Sequence, residues 1–219
     1  MNSVGDAFGW AFKDPAWLGK IVVQGLILII PIVGWIATTG WLMLAFENAR
    51  SGRNELPPAG FHLGRGIGIF GVYLIYGIVL SIPGIALNSI GSHTTSLESG
   101  FSYSTGSPLG SLWNLVTQLL IDFLSPTLIV MVYHHGFRGG FDLANIWKYA
   151  TSNVTNSIVA ALIIFVGSLI GALGLIACCI GVFFTLVYSA SISAAVAAWF
   201  ERQQSAPAAP AMPPPTPAA

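Results

Sequence analysis

The chain has 219 residues, of which 54% are hydrophobic and only 7% charged; net charge is zero and mean hydropathy is +0.76. Soluble domains carry about 25% charged residues, so this chain cannot clothe a water-facing surface and much of it must face lipid. The lack of any basic excess excludes a nucleic-acid partner.

Residues 1–17 hold Phe8, Trp10, Phe12 and Trp17 among Asp6, Lys13 and Asp14. Aromatics mixed with lysines suit an amphipathic segment at the headgroup level. No cationic stretch leads to a small-residue cleavage site, so a cleaved signal peptide is not expected. The first apolar stretch, 18–46, is interrupted by Pro31 and Gly34. A span needs about 20 residues, so this stretch is either one long kinked helix or a re-entrant hairpin bent at Pro31. A polar loop with Arg50, Arg53 and the Pro57–Pro58 pair follows.

The second span is expected over 66–90, with Gly64, Gly68 and Gly71 forming a smooth strip at its start. Ser92 to Pro108 reads as a Ser/Thr/Gly loop without lysine or arginine. The third span covers 109–133 and is kinked at Pro126. Val154 to Phe200 is apolar throughout, too long for one helix at 1.5 Å per residue across about 30 Å of hydrocarbon. It divides into spans at 154–175 and 180–201, with the break in GLIACCIG (174–181). Small residues Gly167 and Gly171 on one span, and Ser189, Ser193 and Ala197 on the other, suit close helix packing. Residues 204–219 are Pro/Ala-rich, a composition for a disordered or extended tail. The expected fold is therefore an all-α polytopic bundle of five or six hydrophobic segments.

Lysine and arginine set orientation. The loops at 48–65 and 134–153 and the C-terminus carry Arg50, Arg53, Arg65, Arg138, Lys148 and Arg202, while 92–108 and 174–181 carry none. This puts the C-terminus in the cytoplasm of a multi-pass inner-membrane protein. If 18–46 crosses once, Lys13 and Lys20 lie outside; if it is a hairpin, all 8 cationic residues lie inside. The charge rule favours the hairpin, and its short arms oppose it. An internal echo is also present: AFENAR (45–50) against AWFERQ (198–203), and FGWAFKDPAW against FDLANIWKY. Internal repeats are frequent in transporters.

Asp122 lies at the centre of the third span, where a carboxylate is costly and by default raises a functional hypothesis. Gln118 and Ser125 share its helix face, so a proton- or cation-handling site is one reading and an internally hydrogen-bonded carboxyl is the other. His134, His135 and Arg138 follow this span as candidate headgroup contacts; adjacent histidines point in different directions on a helix and chelate poorly. His62 lies in another loop on the same side but supplies no ligand spacing. Cys178 and Cys179 suit a small apolar turn. Asn153-Val-Thr155 matches a glycosylation acceptor but falls on the cytoplasmic side. No Walker loop, HExxH, GxSxG or acidic metal cluster occurs, and no catalytic residue, cofactor or metal is expected.

Two stretches resemble a family. IIPIVGWIATTGW followed by ARSGRNELPPAG, and SPTLIVMVYHHGFRGGFDLANIWKY, are similar to bacterial and archaeal integral membrane proteins of domain of unknown function 4013. LIACCIGVFFTLVYS resembles that family's last turn and span. The resemblance covers about residues 8–203 and implies fold and location without catalytic residues. After the Leu-Pro step the family often has acidic and aromatic residues, where this chain has Pro58, Ala59 and Gly60. The functional expectation is a non-enzymatic accessory or structural subunit, in contact with the bilayer and with other membrane proteins or further copies of itself. The rival is a small transporter using Asp122. An enzyme acting on lipid, drawing on His134, His135 and Arg138, ranks last.

Overall fold

The computed structural model describes residues 3–91, 93–96, 102–176 and 180–205. Short helix α1 (Asp6–Trp10) and a 3-10 turn (Ala11–Lys13) lead into α2 (Trp17–Leu28) and α3 (Val33–Arg50). Then come α4 (Leu63–Gly91), strands β1 (His93–Ser96) and β2 (Ser102–Thr105), and α5 (Pro108–Gly139). The order closes with α6 (Leu143–Thr151), α7 (Val154–Leu173) and α8 (Gly181–Ser205). Four helices, α4, α5, α7 and α8, are long and apolar enough to cross a membrane.

The first apolar stretch is a helical hairpin. Pro31 cannot continue α2, and Ile32 takes a left-handed φ of 63°, which a β-branched residue rarely adopts. Behind the turn, Gly34 lies so close to the backbone of Ile27 and Leu28 that a side chain there would collide with it. Gln24 Nε2 reaches Thr38 Oγ1 across the pair at 3.4 Å, so the helices run side by side in opposite directions.

The helix starts follow capping rules. Ser107 accepts from the Gly110 N–H at 2.9 Å, with Pro108 opening α5. Asp142 and Asn153 cap α6 and α7 in the same way. Inside α5 the non-helical residue is Gly136 (φ 64°, ψ −160°), whereas Pro126 keeps helical dihedrals. The third apolar segment is interrupted at Gly136, ten residues beyond Pro126, where glycine supplies the positive φ. Residues 92–108 are not a plain loop: β1 and β2 pair antiparallel with His93 opposite Thr105. The helix α8 runs to Ser205, past the expected end at 201. Cys178, Cys179 and residues 206–219 of the tail lie outside the described residues.

The core lies between α3 and α8. Trp41, Phe46, Ile192, Phe200 and the run Ala194–Ala198 are fully enclosed. Lipid is as apolar as leucine, so close packing and hydrogen bonds, rather than removal of apolar surface from water, hold such helices together. Small residues do this between α7 and α8: Gly167 faces Ile192 and Gly171 faces Leu186 and Ser189, while Ala197 is buried. Of the strip expected at Gly64, Gly68 and Gly71, Gly71 makes a close approach, to the Phe137 ring of α5. Gly64 has nothing within 4 Å of its missing side chain, and Gly68 only grazes Phe137 and Val132 at 3.9 Å. The close crossing with α3 is made by Gly66 over the Ile36 carbonyl and by Gly40 under the His62 carbonyl.

The segment between α3 and α4 is strapped down by side chains. Trp10 Nε1 donates to the Arg53 carbonyl (3.2 Å), Asn48 Nδ2 to Glu55 (2.9 Å), Lys20 Nζ to Leu56 (2.6 Å) and Trp41 Nε1 to Pro57 (3.2 Å). Leu56 N–H donates to Asp14 Oδ2 at 2.9 Å and Gly60 N–H to Gln24 Oε1 at 3.0 Å. The N-terminal segment is likewise packed onto the bundle: Tyr188 Oη donates to the Phe8 carbonyl at 2.7 Å, and Ala7, Trp10 and Ala11 are buried.

Candidate functional site

Asp122 is 4% exposed, in the middle of α5. Its Oδ1 accepts from Gln118 Nε2, one turn earlier, at 3.0 Å. Its Oδ2 has no hydrogen-bond partner among the described residues. Ser125, expected beside them, turns instead to α4, where its hydroxyl pairs with Tyr73 Oη at 2.7 Å. The helix therefore brings Gln118 and Asp122 together as their four-residue spacing requires, and diverts Ser125 to a neighbour. None of the described cavities is lined by Asp122.

The histidines separate as adjacent helical residues do. His134 Nε2 lies 2.7 Å from Glu201 Oε1 of α8. Arg50 Nε of α3 donates to the other oxygen, Glu201 Oε2, also at 2.7 Å, and the Arg50 guanidinium stands 5.5 Å from the Tyr133 ring centroid. One carboxylate, itself only 7% exposed, thus joins α3, α5 and α8. Arg202 extends the lock by donating to the Ala49 carbonyl at 2.9 Å. A cavity of about 530 Å³ opens beside this cluster, lined by Glu47, Arg50, Arg53, Tyr133, Glu201 and Arg202 among others. Burial and then the Glu201 carboxylate push the nearby Tyr149 phenol up.

Glu201 was not among the residues singled out from sequence, though a signal for it existed. In the echo of AFENAR and AWFERQ, Phe46 and Phe200 are both fully buried, and the glutamate that follows each pairs with an arginine: Glu47 with Arg65, Glu201 with Arg50.

His135 and Arg138 face a second cavity of about 540 Å³ along α6, together with Met131, Asp142, Asn145, Lys148, Tyr149 and Ser152. Arg138 and His135 therefore share a site, while His134 does not belong to it. His62 contacts the Pro58 carbonyl at 2.9 Å and joins neither cluster. Among the described residues no group of three or more His, Cys, Asp or Glu is arranged to hold a metal ion.

At the N-terminal side Asp14 is 3% exposed and bonded to Lys20 Nζ at 2.7 Å, Ala16 N–H at 2.8 Å and Leu56 N–H. Burial alone would raise this carboxyl; the lysine and the two amides outweigh it and hold Asp14 below the usual carboxylate range.

Apolar helices of spanning length, a broken helical hairpin and polar clusters gathered at helix ends define the class: a helical membrane protein. Within that class the chain belongs to the family described as protein of unknown function DUF4013, whose model matches residues 23–198. No curated protein and no solved structure matches it. The match begins inside α2 and ends inside α8, short of the 8–203 expected from motifs, so Asp14, Lys20 and Glu201 lie beyond it.

Proposed function

We propose that this protein is a non-enzymatic accessory subunit of the cytoplasmic membrane, with its C-terminus in the cytoplasm, that packs against another membrane protein through α4. The observation that carries this is the coverage of the spans. The apolar window of α4 is 17% buried within the bundle, against 28–44% for the other three. Its bare side carries Ile67, Leu74, Ile78 and Ile85, with open space over Gly64 and Gly77, where a partner helix can approach closely. Orientation rests on cation placement. The α2–α3 hairpin and the contact of Lys20 with the Leu56 carbonyl, in the loop that holds Arg53, support reading the lysines and arginines as one cytoplasmic set.

The test is photo-crosslinking from Ile67 and Ile78 in native membranes, with gentle purification of the products. A defined membrane-protein adduct, shared by both positions and missing from a probe at the buried Ile69, is the expected result. Adducts to lipid alone would overturn the accessory role.

A transport role is favoured by one observation, the orphan second oxygen of Asp122. Water-soluble and membrane-permeant carbodiimides tell the two apart. Modification of Asp122 by the soluble reagent requires a water path to this buried carboxyl and would favour transport, while modification by the permeant reagent alone would favour the accessory role.

A further inference from the structure

Helix α6 divides two cavities, one carrying charged side chains and the other none. At 100° per residue, Ile146 and Ala150 form its buried stripe. On one flank Asp142, Asn145, Lys148, Tyr149 and Ser152 face the cavity of about 540 Å³ that Arg138 and His135 complete from α5. On the other flank Leu143 and Trp147 face a smaller cavity of about 250 Å³ lined by Tyr73, Leu120, Leu124 and Leu128. Leu143 and Trp147 are themselves 64% and 58% exposed. A helix with tryptophan and leucine on one edge and lysine on the other lies at the boundary of hydrocarbon and water.

Among its charged side chains the larger cavity has an excess of positive charge. Asp142 is engaged locally: its Oδ1 accepts from Asn145 N–H at 3.2 Å and its Oδ2 from Asn145 Nδ2 at 2.6 Å. Arg138 and Lys148 form no ion pair among the described residues. Arg50, Arg65 and Lys20 are each matched to a carboxylate; Lys13, Arg53 and Arg202 also form no ion pair among the described residues, but none of them lines this cavity. An arginine fork and a lysine converging on one cavity, with a further ring nitrogen at His135, suit a phosphate oxyanion.

We propose that the cavity along α6 binds the phosphate of an anionic lipid headgroup, held by Arg138 and Lys148, with the acyl region beside Leu143 and Trp147. The apolar cavity on the opposite flank is what favours a lipid over a soluble phosphate ester. The proposal does not depend on the accessory role of α4.

The full chain is placed in nanodiscs of phosphatidylcholine containing a minority of phosphatidylglycerol, and the lipids retained after release are counted by native mass spectrometry. The wild type is expected to enrich phosphatidylglycerol. R138Q/K148Q should lower that enrichment about 30-fold, the factor expected from two juxtamembrane cations of ordinary strength. R138K/K148R should largely keep it, and R53Q, at the other polar cavity, should leave it unchanged. Unchanged enrichment in R138Q/K148Q, or an equal loss in R53Q, overturns the proposal. So does protection of Arg138 from a guanidine-modifying reagent in detergent by glycerol phosphate or inorganic phosphate as well as by phosphatidylglycerol, since the ligand is then a free phosphate. A crosslinker at Asn145 that captures a protein in place of labelled phosphatidylglycerol overturns it too. Matched helix content and melting temperature of the variants separate these outcomes from misfolding.

Discussion

Asp122 and Glu201 are both buried carboxylates, 4% and 7% exposed, yet they sit in opposite situations. Asp122 is served by one side chain of its own helix and leaves an oxygen bare. Glu201 engages both oxygens with side chains from two other helices, the Arg50 guanidinium and the His134 imidazole. Burial alone therefore does not say what a carboxylate does in a bundle. What matters is how many separate elements depend on it, and by that measure the ends of the helices, not their middles, hold this molecule together.

The sharpest way to break the comparison is Glu201→Ala. It removes two charge-assisted hydrogen bonds and uncouples α3, α5 and α8. Arg50 and His134 are partly exposed and regain some hydration, so a loss of about 3 kcal/mol is expected rather than the larger figures for wholly buried pairs. It would be read as a lower melting temperature in a fixed detergent.

Asp14→Asn comes next, at about 2 kcal/mol, because the amide keeps one weaker acceptor oxygen and turns an NH2 donor toward donors that the carboxylate accepted from. Its pH dependence carries a sign. The folded carboxyl titrates below its ordinary range, so its contribution is whole above the unfolded value of about 3.9 and is lost as pH falls through the lower folded value. Melting curves of wild type and Asp14→Asn should therefore converge in acid and run apart in parallel from about pH 5 upward. A gap that widened between pH 6 and 8 would contradict the assignment.

Asp122→Asn is expected to have the smallest effect, about 0.5 kcal/mol or less, since the amide oxygen still accepts from Gln118 and no other helix is released. If it destabilised the protein more than Glu201→Ala, the ranking of the two carboxylates would be reversed and the middle of α5 would become the structural centre.

Much of the fold was legible from hydropathy. The apolar segments and the breaks at Pro31 and between α7 and α8 follow from run length and breakers, because hydrocarbon admits few backbone arrangements; the family came from the resemblance of the chain's motifs, and its model matches residues 23–198. What could not be read was which small residues touch. Gly66 and Gly68 differ by two positions on a helix, hence by more than half a turn, and only the rotation of α4 against α3 decides between them. The pairing of charges was hidden for the same reason. Lys20 weighed in the charge rule as a free cation, yet it is bonded to Asp14 and the Leu56 carbonyl. Glu201 was masked because its partners lie far away in sequence. Near the end of α5, sequence grouped His134 with His135 and Arg138 by adjacency, whereas the helix sends neighbours to different sides.

The strap at residues 53–60 has a practical consequence for anyone mapping this protein. A connection between two helices is ordinarily where an epitope or a fluorescent reporter is inserted without harm. Here the connection acts like a peptide seated in a cleft, its backbone gripped by side chains from α1, α2, α3 and Asp14. Any insertion between Arg53 and Gly60 would shift that register and loosen the amino-terminal third of the molecule. A reporter placed there would describe a damaged protein, so single cysteines at exposed positions are the sounder choice.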